Sequence, residues 1–271
     1  MLSSMSLSAP RCRAAAPRAP SARPPAPIRC VRVSVSAHGH PHGAPAGGTS
    51  TKEKQEKEKG FINDMRRVAM KLHTKEQSPK EGEKESKPQP RAWQPTLPGY
   101  LSFLVESKAV YDVLEAAVKD AAHPEYAAFS GTGLERSAGL ADDIAWMSEK
   151  YGLEAPAPQP DGPGATYGKK LTELAKSDPQ AFICHYYNFY FAHTAGGRMI
   201  GNKISEMLLD GQSLKFYQYD GEVQDLLDDV RRKINALAET WTPEQKSHCL
   251  EETENSFKFS GQIMQRITAE N

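Results

Sequence analysis

The chain has no acidic residue before Glu53, no uncharged apolar run approaching 18 residues, no Cys-x-x-Cys and no Glu-x-x-His. Each absence removes a class of protein. Without a long apolar run there is no candidate membrane span. With only four cysteines in 271 residues and no close pair, a disulfide scaffold or zinc ribbon is excluded. Cys12 and Cys30 fall in the N-terminal segment, while Cys184 and Cys249 sit singly within helical patterns and read as small buried apolar residues. A di-iron carboxylate bundle needs Glu-x-x-His on two helices, so that class goes too. No glycine-rich nucleotide motif follows a strand. Any electrons the protein uses must come from outside.

The missing acids also divide the chain. Lys plus Arg equals Asp plus Glu at 34 each, yet residues 1–51 hold six arginines and no acid. The remainder, 52–271, carries 28 basic against 34 acidic residues, a net of −6 before histidine. A mildly acidic body argues against nucleic acid as a partner. Residues 1–50 are rich in Ser, Ala, Pro and Arg, the composition of an organelle transit peptide; a merely disordered basic tail is the alternative. Pro10, Pro17, Pro20, Pro24, Pro25 and Pro27 interrupt every apolar run that a secretory signal would need. The Ser-rich start and the short run Val31-Arg32-Val33-Ser34-Val35 favour a plastid over a mitochondrion. His38, His40 and His42 alternate in a Gly/Pro-rich linker and read as incidental. Residues 52–59 alternate in charge, as a solvated tail does. The division is therefore 1–50, transit segment and linker, and 51–271, folded domain.

The body reads as helix after helix. Phe61, Met65, Val68 and Leu72 recur on one helical face, ending near Gln77 before Pro79 and a charged loop to Trp93. Leu101, Leu104, Val105, Tyr111, Leu114 and Val118 outline a second helix, and Gly133 to Tyr151 a third. A Pro/Gly-rich link, Ala155 to Gly164, precedes a helix from Tyr167 to Lys176. Asp178-Pro179 is a helix entry, opening an aromatic-rich segment to Leu209. Glu222 to Trp241 and Pro243 to Ile267 supply two more, the last opened by Thr242-Pro243-Glu244. No run alternates with period two long enough for a strand. The expected fold is one all-α domain of about 210 residues, enough to enclose a cofactor.

Two segments carry chemistry. His73 flanks the apolar stripe of the first helix, and Arg66 lies seven residues earlier, two turns away and about 10 Å along the axis. That spacing suits a ligand with a metal over an imidazole and an anionic edge at a guanidinium, although a single histidine on a helix flank is more often structural. The second segment, Phe182 to Lys203, crowds Tyr186, Tyr187, Phe189, Tyr190 and Phe191 and then brings Gly196, Gly197 and Gly201. A glycine costs about 1 kcal/mol against alanine inside a helix, so three in six residues need a reason. A bend, close approach to a flat ligand, or plain contact between helices through small residues would each supply one.

Met65 to Thr74 (MRRVAMKLHT), Tyr190 to Gly201 (YFAHTAGGRMIG) and His248 to Gly261 (HCLEETENSFKFSG) together resemble the heme oxygenases of plants and algae, over nearly all of residues 60–268. The resemblance implies a proximal and a distal helix with heme between them. His73 would be the proximal ligand, Gly196 and Gly197 would cover the other face, and Arg66, Tyr187 and Arg231 would hold the propionates. It implies oxygen-dependent opening of heme b to biliverdin IXα, carbon monoxide and ferrous iron, using molecular oxygen and electrons from reduced ferredoxin. The setting would be the plastid stroma, as a monomer with no membrane span, with a downstream bilin reductase as a further partner. Arg198, Lys203, Arg232 and Lys233 are the basic residues at which an acidic ferredoxin would dock.

Two departures stand out. Animal members place an aspartate where this chain has His193, which makes His193 a candidate distal residue. They also carry a lysine where this chain has Leu227. Plants have a second branch without the proximal histidine, and His73 sets this chain apart from it. A non-enzymatic tetrapyrrole-binding protein on the same fold is the rival reading.

Overall fold

The computed structural model describes residues 60–77, 93–157 and 159–269, with residues 73–77 as backbone alone. Helix α1 spans Phe61–Gln77, α2 Leu97–Lys119, α3 Ser137–Tyr151, α4 Pro163–Ser177 and α5 Pro179–Ala192. A π turn, His193–Gly197, joins α5 to α6, Arg198–Leu208. Then come α7 Val223–Glu239, α8 Pro243–Glu251 and α9 Thr253–Met264. There is no strand among the described residues, as the sequence pattern predicts. No described helix is long and apolar enough to cross a membrane. The expected transit segment, His38, His40, His42, Cys12 and Cys30 lie outside the described residues.

The apolar positions explain the packing. Helix α2 is buried over most of its length, from Tyr100 and Leu101 to Val118, and α4 lies against it. It starts at Thr96, whose hydroxyl accepts from Gly99 N, and Pro98 sits in the first turn, where no amide is needed. A Cβ on Gly99 would lie 2.7 Å from the carbonyls of Arg266 and Ile267, so the last turn of the chain closes directly over this helix start. Helix α1 packs on α7, α8 and α9: the Asn235 side chain accepts from Ile62 N at 2.9 Å, and Phe61 meets Trp241 edge-on.

Three expected boundaries move, and in each a side chain from another element takes part. The third helix begins at Ser137, not Gly133. Gly133 has φ +80°, and the Glu135 carboxylate folds back to accept from Thr132 N and Gly133 N. Glu115 of α2 then accepts from Arg136 N and Ser137 N, supplying the cap from another element. Helix α4 starts at Pro163, four residues before Tyr167, because buried Glu106 of α2 accepts from Gly164 N at 2.7 Å. The expected single helix from Pro243 to Ile267 is two. It breaks at Glu252, whose carboxylate reaches His185 of α5 at 3.0 Å, and it ends in a 3₁₀ turn.

Candidate functional site

The glycine segment contains a π turn: the amide of Arg198 bonds the carbonyl of His193, five residues back. One extra residue per turn widens the helix there, a distortion that favours functional sites over plain packing. The three glycines have different reasons. A Cβ at Gly201 would lie 2.5 Å from the ring of Tyr217, so that glycine admits an aromatic ring. A Cβ at Gly197 would lie 3.0 Å from Nδ1 of His193, so that one clears an imidazole. A Cβ at Gly196 would meet nothing within 4 Å. No atom of the described residues accounts for glycine there, which leaves a surface suited to something flat.

His193 is buried, and its Nε2 donates to the carbonyl of Phe216 at 2.9 Å. The ring stacks on Phe216 at 4.0 Å and on Tyr217 at 5.2 Å. Burial, with the charges of Arg136 and Arg198 adding to it, holds the imidazole down at about 3 against the Phe216 bond. It is therefore neutral at physiological pH. This residue cannot serve as a cationic acid.

Tyr187, Phe191 and Arg231 form one column. The Tyr187 ring lies 4.3 Å from that of Phe191, and the Arg231 guanidinium sits 5.2 Å over the opposite partner of that pair, Phe191. Arg231 also pairs with Asp228 at 2.6 Å and keeps 22% of its side chain exposed. Two of the three expected carboxylate-holding residues, from α5 and α7, thus both contact Phe191, one of the aromatic residues crowded on α5. The third, Arg66, is exposed on α1, an unbroken helix that runs on through His73. An open cleft of about 740 Å³ is lined by Thr194, Arg198, Asn202, Tyr219, Gln224 and Leu227, and by none of Tyr187, Phe191 and Arg231. That is a volume typical of small-molecule sites. Leu227 places an apolar side chain one turn before Arg231.

Of the other described histidines, two are hydrogen-bonded elsewhere. His185 is buried between the Tyr167 hydroxyl at 2.7 Å and Glu252 at 3.0 Å. His248 bonds Asp178 at 2.7 Å, and that carboxylate raises its pKa. His123 lies 3.7 Å from Glu125. No cluster of metal-ligating side chains occurs among the described residues. Both Cys184 and Cys249 are buried free thiols, as expected. They are neighbours rather than isolated, however: a hydrogen bond with Cys184, ahead of burial, pushes the Cys249 thiol up. Of the basic residues expected to face a partner, Arg232 and Lys233 share Asp229, and Lys203 lies over the Trp93 ring at 5.0 Å. Arg198 lines the cleft.

Comparison with known proteins gives this geometry a family. The heme oxygenase family model matches residues 90–266. The chain is 56% identical over 215 residues to chloroplastic heme oxygenase 1 of Arabidopsis thaliana, covering 78% of this chain and 75% of that one. It is 53% identical over 210 residues to chloroplastic heme oxygenase 1 of Oryza sativa subsp. japonica, covering 77% and 71%. The crystal structure of heme oxygenase-1 from the cyanobacterium Synechocystis in complex with heme superposes with a TM-score of 0.60. It is 15% identical and covers 77% of this chain and 92% of that one, so it speaks to the fold alone. Helix content and these matches agree, and the chain belongs to the heme oxygenase family.

Proposed function

We propose that this protein opens heme b oxidatively to biliverdin IXα, with release of carbon monoxide and ferrous iron, in the plastid stroma. Molecular oxygen and electrons from reduced ferredoxin are the co-substrates, the protein acts as a monomer, and a bilin reductase takes the product on towards phytochrome chromophores. The observation that carries this reading is Gly196: a helix face left bare by its own sequence, on a π turn, with open space beyond it. Bound heme supplies the iron at which oxygen is reduced and the ring that is opened. The residues of the chain do the rest.

His73 would hold the heme iron through an imidazole nitrogen. The motif supports this, and His185, His193 and His248 are each hydrogen-bonded to protein groups. Gly196 and Gly197 would let the backbone come close to the flat ring. Arg231 and Tyr187, held together by Phe191, would take a propionate, and Arg66 the other edge; guanidinium and carboxylate form charge-assisted bonds. His193 stays neutral and acts as a hydrogen-bond acceptor on the distal side, not as an acid. Residues 1–50 carry the chain to the plastid. Arg198, Lys203, Arg232 and Lys233 face the acidic electron donor, with Asp229 offsetting part of the last two.

The test is His73→Ala. The pocket and the propionate contacts remain, so heme should still bind, with a changed absorption spectrum and nearly no biliverdin formation. Added imidazole fits the vacated space and should restore part of both. A wild-type spectrum with full turnover in His73→Ala would remove the ligand assignment. Heme bound by the wild-type protein but left unconverted, with oxygen and reduced ferredoxin present, would favour a non-enzymatic binding protein instead.

A further inference from the structure

Four buried elements converge on one short turn, Lys215–Tyr217, which the reading above leaves without a task. Asp143 of α3 is buried, and both its oxygens are used: Oδ1 accepts from Lys215 N at 2.9 Å and Oδ2 from Phe216 N at 2.7 Å. Arg136, also buried, donates to the carbonyls of Phe216 and Gln218 on the far side of the same turn. Its guanidinium lies 3.9 Å over the Tyr219 ring. Tyr217 is seated in the notch left by Gly201, and its hydroxyl meets that of Tyr100 at 2.9 Å. Gly139 lets the α3 backbone come to within 3.3 Å of the Lys215 carbonyl, measured from the position of a Cβ. A surface turn does not need two buried charges to hold it. What the turn presents inward is the Phe216 carbonyl, and what that carbonyl meets is Nε2 of His193.

A carbonyl oxygen only accepts, so Nε2 must carry the proton. A neutral ring has one proton to place, and Nδ1 is then a bare acceptor. That nitrogen faces Gly197, 3.0 Å from where a Cβ would stand. We propose that Asp143 and Arg136 are positioning residues: they clamp the Lys215–Tyr217 turn so that the Phe216 carbonyl locks His193 in its Nε2–H tautomer, presenting Nδ1 beside Gly197 as a fixed acceptor for a water molecule. This rests on the reading of His193 as a distal residue. The charged and titratable groups around the ring are Arg136, Arg198 and, behind the turn, Asp143, together with the hydroxyls of Tyr111, Tyr217 and Tyr219. Neither cation favours protonation, so the ring neither takes nor gives a proton near neutrality. Its acceptor fixes a water, and the protons of the reaction travel by that water.

The tautomer can be read directly by nitrogen NMR on the full-length protein labelled with ¹⁵N-histidine, with His193→Asn identifying the signal. In wild type, Nδ1 should resonate as an unprotonated nitrogen and Nε2 as a protonated one, unchanged between about pH 5 and 8. Asp143→Asn replaces one accepting oxygen by an NH2 group that can only donate. Arg136→Lys keeps the charge but loses the fork that reaches two carbonyls. In either variant, if folded by circular dichroism, His193 should show mixed tautomers or titrate in that range, and the pH–rate profile should gain an inflection. An Nδ1–H tautomer in wild type overturns the proposal. So does a folded Asp143→Asn or Arg136→Lys protein that loses thermal stability yet keeps the wild-type tautomer and a flat profile. The distal reading is tested separately: His193→Ala with full turnover would sink it, whatever the nitrogen signals show.

Discussion

Replacing Gly196 by leucine separates a folding role from a ligand-facing role. Among the described residues nothing lies within 4 Å of a Cβ at this position, so the side chain has room beside them in the free protein. A helical glycine is about 1 kcal/mol less favourable than a residue such as alanine or leucine. In a domain of this size 1 kcal/mol moves Tm by roughly 2–4 °C, and the π geometry at His193–Gly197 will reduce that gain. The free Gly196→Leu protein should therefore melt at or slightly above the wild-type temperature. Gly201→Ala is the control on the same segment. Its Cβ would stand 2.5 Å from the Tyr217 ring, and that ring is pinned by the Tyr100 hydroxyl and by His193. Overpacking of this kind costs about 1–3 kcal/mol, more than the propensity gain, so Gly201→Ala should melt lower. Heme titration should then reverse the ranking. Leucine at 196 would occupy the space where the ring plane lies, and its heme affinity should fall at least tenfold, about 1.4 kcal/mol, with biliverdin formation lost. A Gly196→Leu protein that binds heme and turns over like wild type would show that this bare face is not the ligand's face. A marked loss of stability in the free protein would show that the space is not open.

Three further outcomes follow from single groups. His193, held at about 3 when folded against about 6.5 when unfolded, contributes stability that is complete above pH 6.5 and is lost as pH falls towards 3. By linkage the loss is about 2 kcal/mol at pH 5; urea midpoints at pH 7.5 and 5 should show it in wild type and not in His193→Asn, and equal shifts would refute it. Arg231→Leu should weaken heme binding roughly ten- to hundredfold, the worth of a charged hydrogen bond of about 1.5–3 kcal/mol, with the melting temperature little changed; unaltered affinity would remove Arg231 from the propionate site. Turnover with ferredoxin should fall as salt rises from about 20 to 300 mM, and a rate indifferent to salt would leave the basic residues of α6 and α7 without a docking role.

The sequence by itself determined the class of fold and the position of most helices. Local rules suffice for that: the stripe Phe61–Met65–Val68–Leu72 repeats with the helical period, and Asp178-Pro179 is a cap followed by a residue without an amide to satisfy. It also raised the question of the three glycines, since their cost is a local quantity. Where local rules failed, the deciding partner was far along the chain. Glu115 sets the start of α3 from 21 residues away, Glu106 that of α4 from 58, and His185 meets the break at Glu252 from 67. Only the tertiary structure sorted the glycines, because the Tyr217 ring, the His193 imidazole and open space are distinguished by neighbours and not by composition. Cys184 and Cys249 looked solitary for the same reason. The role of Phe191 between Tyr187 and Arg231, and the clamp of Asp143 and Arg136 on the turn at Phe216, join residues about 40 to 80 positions apart. No periodicity encodes such pairs; they exist because folding brings two otherwise ordinary side chains into the same buried, low-dielectric space, where an unmet donor or charge would be costly.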